Sequence, residues 1–257
     1  MKARVVPLTR GARWLAEGWR LFRVSPPSWL ALVFAYWMVM TAVSLVPLLG
    51  VLIAMVLIPA FSVGFMAASR SCEQGKAPQL RTLFDGFRDR VAVQLRLGAV
   101  YVLSLALLLA ATALADDGAL ARWMLLDRRP GDEVLRSDGF LAALVIAAAF
   151  YVPVMMLFWF APLLAAWHAM AAGQALFYSF FACFMNWRAF LSYGAVAAVV
   201  TLVIPFVVLG VLLLVSGGEL KVAAMTLVLP LLIILLPTLF ASFYASYRDV
   251  FGAQDEG

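Results

Sequence analysis

Few residues in this chain are of a kind that does chemistry, and those few stand apart from one another. There is one histidine, His168, in the run Ala165-Ala166-Trp167-His168. An imidazole at the end of an apolar stretch can relay protons or bind a ligand, because it titrates near neutrality. With no carboxylate or second ligand beside it, it forms neither a triad nor a metal site, so its expected role is structural. Cys72 and Cys183 each lack a Cys or His at ligand spacing and read as packing residues. Both fall on the side assigned below to the cytoplasm, where a disulfide is not expected. The densest charged group is Asp127, Arg128, Arg129, Asp132 and Glu133. Carboxylates so placed could hold a metal, but the mixture of signs describes a solvated, self-paired loop better. No catalytic residue, no metal site and no cofactor is assigned.

The arginines carry more information. Over residues 9–24, Leu15, Gly18, Trp19 and Phe22 recur at helical spacing, with Arg13, Glu17 and Arg20 on the opposite side. Residues 79–92 repeat the design: Leu80, Leu83, Phe84, Phe87 and Val91 form a stripe, and Arg81, Asp85, Arg88 and Asp89 lie away from it. A third version, residues 174–190, sets Phe177, Phe180, Phe181 and Phe184 on the stripe with a poor polar face, as if covered on both sides. Such segments lie in the plane of a membrane surface with the apolar face down. Guanidinium groups are then held at phosphate height, where a planar fork donates two hydrogen bonds at once. Arg13, Arg20, Arg81, Arg88 and Arg90 are therefore the candidate contacts to anionic lipid headgroups, each contributing about 1 kcal/mol of surface attraction. The net charge of +5 fits this reading and topology. Nucleic acid is not an expected partner, because there is no soluble basic domain to hold it.

What must position these segments follows from composition. The chain is 65% hydrophobic and only 13% charged, about half the charge of a soluble domain. No charge falls from Val24 to Ser69, a stretch long enough for two spans of about 20 residues with a turn at Pro47-Leu48-Leu49-Gly50. Similar runs predict six spans, at 28–48, 51–70, 96–115, 139–166, 191–215 and 222–246. Lipid offers no partner to open backbone groups, and the runs do not alternate, so each span is expected to be helical. The fold class is an all-α polytopic membrane bundle with amphipathic surface helices.

Orientation follows from Lys and Arg. The N-terminal segment, residues 71–95 with Arg70 and Arg96, Arg188 and Arg248 place fourteen basic residues on one side; Arg122, Arg128, Arg129, Arg136 and Lys221 place five on the other. Both termini are expected in the cytoplasm and residues 116–137 outside it. The chain reads as one integral domain. Its parts are a surface segment 1–27, a hairpin 28–70, an amphipathic loop 71–95, a hairpin 96–166, a surface segment 167–190, a hairpin 191–246 and a tail 247–257. The first apolar stretch is too long for a signal peptide. Sixteen Arg against three Lys, with one Asn, point to a GC-rich bacterial genome.

No ionisable group falls within a span, which argues against ion-coupled transport. Ser44, Ser62, Tyr101, Ser104 and Thr201 could line a weakly polar path, but such hydroxyls usually bond their own helix. Pro59, Pro153, Pro162, Pro205, Pro230 and Pro237 break helix hydrogen bonds, and broken helices form transporter sites. A faint repeat supports the hairpins: Pro59 with Phe65 and Arg70, and Pro237 with Phe243 and Arg248, share spacing.

The run Gly18-Trp19-Arg20-Leu21-Phe22 with Pro26 and Trp29, the Pro59 helix ending at Arg70, and Pro237, Tyr244 and Tyr247-Arg248-Asp249-Val250-Phe251 carry a likeness. Through them the chain resembles uncharacterised six-helix inner-membrane proteins of proteobacteria. These in turn are similar to the membrane domain attached to some glycerophosphodiester phosphodiesterases. The resemblance implies no catalytic residues, since that chemistry sits in a separate soluble domain. The expected role is non-enzymatic, lipid-interacting or organising, with membrane lipids and a membrane-protein partner or a second copy as partners. A transporter or flippase of an apolar or lipid-like substrate is the alternative, and an intramembrane enzyme comes third.

Overall fold

The computed structural model describes residues 3–47, 49–88, 90–215 and 220–252, and side chains at all of these except 220–230 and 232. Expectations that fell on Lys2, Leu48, Asp89, Glu219, residues 253–257 and the side chains of Lys221 and Pro230 lie outside the described residues.

The order of helices is α1 (Leu8–Phe22), α2 (Pro26–Ser44), α3 (Gly50–Glu73), a 3-10 helix (Leu80–Phe87), α4 (Val91–Asp116), α5 (Ala119–Leu126), α6 (Asp132–Leu135), α7 (Asp138–Phe158), α8 (Ala161–Trp167), α9 (Ala172–Met185), α10 (Trp187–Ala198), a π-helical turn (Val199–Val203), α11 (Ile204–Val215) and α12 (Leu220–Phe251). No strand occurs among the described residues. Five stretches among them are long and apolar enough to cross a membrane: Pro26–Ser44, Gly50–Glu73, Val91–Asp116, Asp138–Trp167 and Trp187–Val215. The sixth expected span falls within α12. Large apolar side chains face outward along these helices, Leu114 and Leu214 at 90% and 84% exposure. A water-soluble chain does not tolerate such a surface. In lipid, tails replace the missing neighbours and the helices form a polytopic membrane bundle.

The chain divides into two compact units. Unit 1 comprises residues 1–42, 60–89 and 181–257; unit 2 comprises 43–59 and 90–180. In unit 1, α1 lies against α10 and α12. Its buried face is Gly11, Trp14, Leu15, Gly18, Leu21 and Phe22, which corrects the predicted stripe: Trp14 is fully buried and Trp19 is 39% exposed. Gly11 and Gly18, two turns apart, set the distance, because a Cβ on Gly11 would fall on the Ala189 carbonyl and one on Gly18 on the Thr238 carbonyl. The 3-10 helix meets the second half of α3 in the same way, Gly64 against Leu83 and Gly86 against Ala60. Its period of three brings Leu83 and Gly86 to the buried side. Leu80 and Phe84, on the apolar stripe by a 3.6 period and expected against the bundle or in the headgroup region, lie off this line at 52% and 40% exposure.

In unit 2, α4 packs along α7. The predicted span 139–166 is not one helix, since Trp159 and Phe160 separate α7 from α8. Pro162 supplies no amide and its ring excludes the preceding turn. The hydroxyl of Ser179 bridges the gap, accepting from the Phe160 amide at 2.9 Å and donating to the Met156 carbonyl at 2.8 Å. Residues 116–137 hold more structure than a solvated loop. Ala119 and Leu120 of α5 are buried against Phe140 and Ala143 of α7.

Helix α9 is faced as a segment between lipid on one side and protein on the other should be. Ala175, Ser179, Ala182 and Cys183 are buried, while Phe177, Phe181 and Phe184 point outward at 59%, 44% and 59% exposure. Small residues let helix backbones approach in lipid, and the large apolar ones need no protein cover there.

Candidate functional site

The strongest gathering of charged side chains lies in unit 1, where the start of α1 meets the ends of α3 and α12. Helix α1 repeats its residue types every seven positions: Arg10 and Glu17, Gly11 and Gly18, Arg13 and Arg20, Trp14 and Leu21. Two turns of helix bring positions seven apart to nearly the same face. The glycine and Trp/Leu lines are buried, and the Arg10/Glu17 line borders them.

There Asp249 accepts four hydrogen bonds. Arg10 forks onto it, Nε at 2.7 Å and Nη2 at 2.6 Å, the Trp14 indole donates at 2.8 Å and Arg248 Nη2 at 3.4 Å. Arg10 also reaches Glu17 at 3.2 Å. Arg248 donates to Glu17, and to Glu73 at 2.6 Å, and the Tyr244 hydroxyl donates to the same Glu73 carboxylate. The result is an unbroken chain of partners from Trp14 to Tyr244. The side chain of Asp249 is only 8% exposed and that of Glu17 17%.

Electrostatics fixes the protonation of this chain. Burial pushes the Asp249 carboxyl up, and the hydrogen bonds from Arg10 and Trp14 with the nearby guanidinium charges reverse this, leaving it below the usual carboxylate value. The hydrogen bond to Asp249 raises Arg10 above its ordinary value against the opposing effect of burial. For Arg248, burial lowers the pKa, and the bonds to Glu73 and Glu17 more than restore it. Asp249 is held as an anion between held cations, which makes it a poor proton acceptor near neutrality.

A backbone strap extends the clasp. The Arg4 amide donates to the Val250 carbonyl at 3.0 Å. Asn186, 1% exposed, accepts from the Val6 amide at 2.8 Å and donates to the Arg4 and Ala182 carbonyls at 2.9 Å each. A cleft of about 480 Å³ opens beside it, lined among others by Arg4, Pro7, Arg10, Arg248 and Asp249.

The five predicted headgroup arginines are not gathered into one place. Arg13 and Arg20 are exposed on the outer face of α1, and Arg81 is exposed on the 3-10 helix. Arg88 is exposed with Asp85 at 3.5 Å. Arg90, in unit 2, is half-buried and donates to the Met170 carbonyl at 3.4 Å. Near the outer arginines of α1, the Arg23 guanidinium lies 5.8 Å from the centre of the exposed Trp19 ring; at the start of α10, Arg188 lies 5.5 Å from that of Trp187.

Sequence reasoning missed the clasp. The available signal was three acids, Glu17, Glu73 and Asp249, standing in segments dominated by arginine, together with the seven-residue repeat of α1. Cys72 and Cys183 are free and buried, as packing residues should be. His168 is exposed just beyond α8. The Ser104 hydroxyl bonds the Val100 carbonyl of its own helix.

A second cluster lies in unit 2, where α4 ends and α7 begins. A cleft of about 700 Å³ is lined there by Asp117, Arg122, Arg128, Arg129, Glu133 and Ser137, among others. Among the described residues, no group of three His, Cys, Asp or Glu is placed to hold a metal ion.

The chain is similar to a probable inner membrane protein of Burkholderia thailandensis, at 40% identity over 253 residues that cover 96% of this chain and 93% of that one. No family model matches the chain, and no solved structure matches it.

Proposed function

Because the chain belongs to the family of that Burkholderia thailandensis inner membrane protein, we propose that it works in the inner membrane as a non-enzymatic, lipid-interacting organiser with both termini in the cytoplasm. The observation that carries this reading is the division of labour on α1. Its inner charges, Arg10 and Glu17, are matched within the clasp. Its outer arginines, Arg13 and Arg20, stay exposed beside the Trp19–Arg23 pair. Tryptophan stacked with arginine belongs at headgroup level, where one end of each side chain is apolar and the other wet. The non-enzymatic part rests on the saturated state of Asp249, which leaves the clasp no free base. The phosphodiesterase likeness adds nothing to it, as it implies a membrane domain without catalytic residues.

The test compares wild type with Arg13→Gln/Arg20→Gln/Arg81→Gln in detergent, with and without cardiolipin or phosphatidylglycerol. Each arginine accounts for about 1 kcal/mol of attraction to an anionic surface, so the triple variant should lose most of the lipid-dependent rise in melting temperature. Equal stabilisation of both proteins would leave these charges with topology alone.

The transporter or flippase reading has one observation in its favour. In unit 2 the fully buried Gln94 donates to the Pro162 carbonyl at 2.9 Å beside the α7–α8 break, and its own Oε1 has no hydrogen-bond partner among the described residues. A buried acceptor at a broken helix is where a translocated polar group could be received. Proteoliposomes that move a fluorescent lipid no faster than protein-free vesicles would dispose of it.

A further inference from the structure

The 700 Å³ cleft of unit 2 lies within the size range of small-molecule sites, and it holds charges of both signs on a built frame. Its floor is the end of α4 and the start of α7, two spanning helices, so it opens where acyl chains give way to headgroups. The frame is set by hydrogen bonds and packing. Asp116, buried, accepts from the Gly118 amide at 2.9 Å and the Leu120 amide at 2.7 Å. Leu120 is packed on Phe140, and Ser137 caps α7 by accepting from the Phe140 amide at 3.2 Å.

The charges can then be sorted by what already occupies them. Asp116 is committed to the backbone. Arg129 faces Asp132 at 3.7 Å. Arg122 uses Nη1 on the Asp117 carbonyl at 2.8 Å, which anchors its guanidinium and leaves its other donors for the cleft. The groups remaining are Arg122 and Arg128 on one hand and the carboxylates of Asp117 and Glu133 on the other. A divalent cation is repelled by the arginines, and a simple anion by the carboxylates. A ligand carrying a phosphate and an ammonium a few bonds apart answers both.

We propose that this cleft binds the phosphoethanolamine group, with Arg122 and Arg128 donating to the phosphate and Asp117 and Glu133 accepting from the ammonium. The ammonium must carry hydrogens, because the carboxylates act as hydrogen-bond acceptors; a trimethylated headgroup cannot satisfy them. The group can arrive on a membrane lipid or as the free ester. The site is independent of Arg13, Arg20 and Arg81.

The experiment uses the full chain in mild detergent and native mass spectrometry with phosphatidylethanolamine, phosphatidylcholine and phosphatidylglycerol of matched acyl chains, plus free O-phosphoethanolamine as competitor. Phosphatidylethanolamine should be preferred over phosphatidylcholine by about tenfold, the scale of one charge-assisted hydrogen bond. Glu133→Gln and Arg128→Gln should each reduce that preference severalfold, and both residues are exposed, so folding should survive. Arg13→Gln/Arg20→Gln/Arg81→Gln should leave the preference over phosphatidylcholine unchanged. Competition by the free ester assigns recognition to the headgroup alone; preference without competition assigns it to the lipid. Equal binding of the three lipids, or a preference that both single variants retain, overturns the proposal.

Discussion

At the scale of single residues, Asp249 concentrates the energetics of unit 1. Four hydrogen bonds converge on one carboxylate that is almost out of reach of solvent. Its pKa is lowered in the folded protein. The stabilisation from its charge is therefore fully present above its unfolded value, about 4, and is lost as pH falls through the lowered folded value. The melting temperature in detergent should hold steady from pH 7 to about 5 and fall below about pH 4. Asp249→Asn should melt lower at neutral pH and show a shallower acid fall; an acid profile identical to wild type would remove Asp249 from this role. Sequence alone could not reach Asp249, because its partners stand at the far end of the chain. It did reach Cys72 and Cys183, whose isolation is a local property. The outward placement of Arg13 and Arg20 was also legible, since it follows from helical period alone, whereas Trp14 required knowing which neighbours α1 would meet.

At the scale of elements, five of the expected spans coincide with helical stretches long and apolar enough to cross a membrane, because lipid imposes length and apolarity on each segment separately. Facing was legible where lipid decides it and less so where packing does. On α9 small residues mark the contact and Phe marks the open side, as lipid on one face and protein on the other require. In the 3-10 helix the tighter period moves Phe84 off the line that packs on α3. Docking of α1 now rests on two glycines, and this is testable by contrast. Gly18→Ala places a methyl on the Thr238 carbonyl. The clash with backbone should cost about 1–3 kcal/mol and lower the melting temperature. Gly194→Ala on α10 meets nothing within 4 Å and should be neutral or stabilise by up to about 1 kcal/mol. Equal behaviour of the two variants would mean that α1 does not dock through Gly18.

At the scale of the whole molecule, the proposed orientation yields the plainest prediction. Phosphatase and fluorescent-protein fusions at residues 75, 125 and 257 should give fluorescence at 75 and 257 and phosphatase activity at 125. Phosphatase activity at residue 75 or residue 257 would invert the orientation. The polytopic class was legible from composition, because charge content alone separates lipid-solvated chains from water-solvated ones. The division into two units was not, since it arises from which helices pair. That pairing has a temporal meaning. Arg10 and Asp249 are 239 positions apart, so α1 leaves the ribosome well before its partners on α12. At about 5–20 residues per second the interval is roughly 10–50 s. Throughout it, Arg10, Trp14 and Glu17 have no Asp249 or Arg248 to receive them. A nascent chain that stalls before Tyr244 leaves an amphipathic helix with an unmatched face for membrane proteases to find. Closure of the clasp therefore waits on the synthesis of α12.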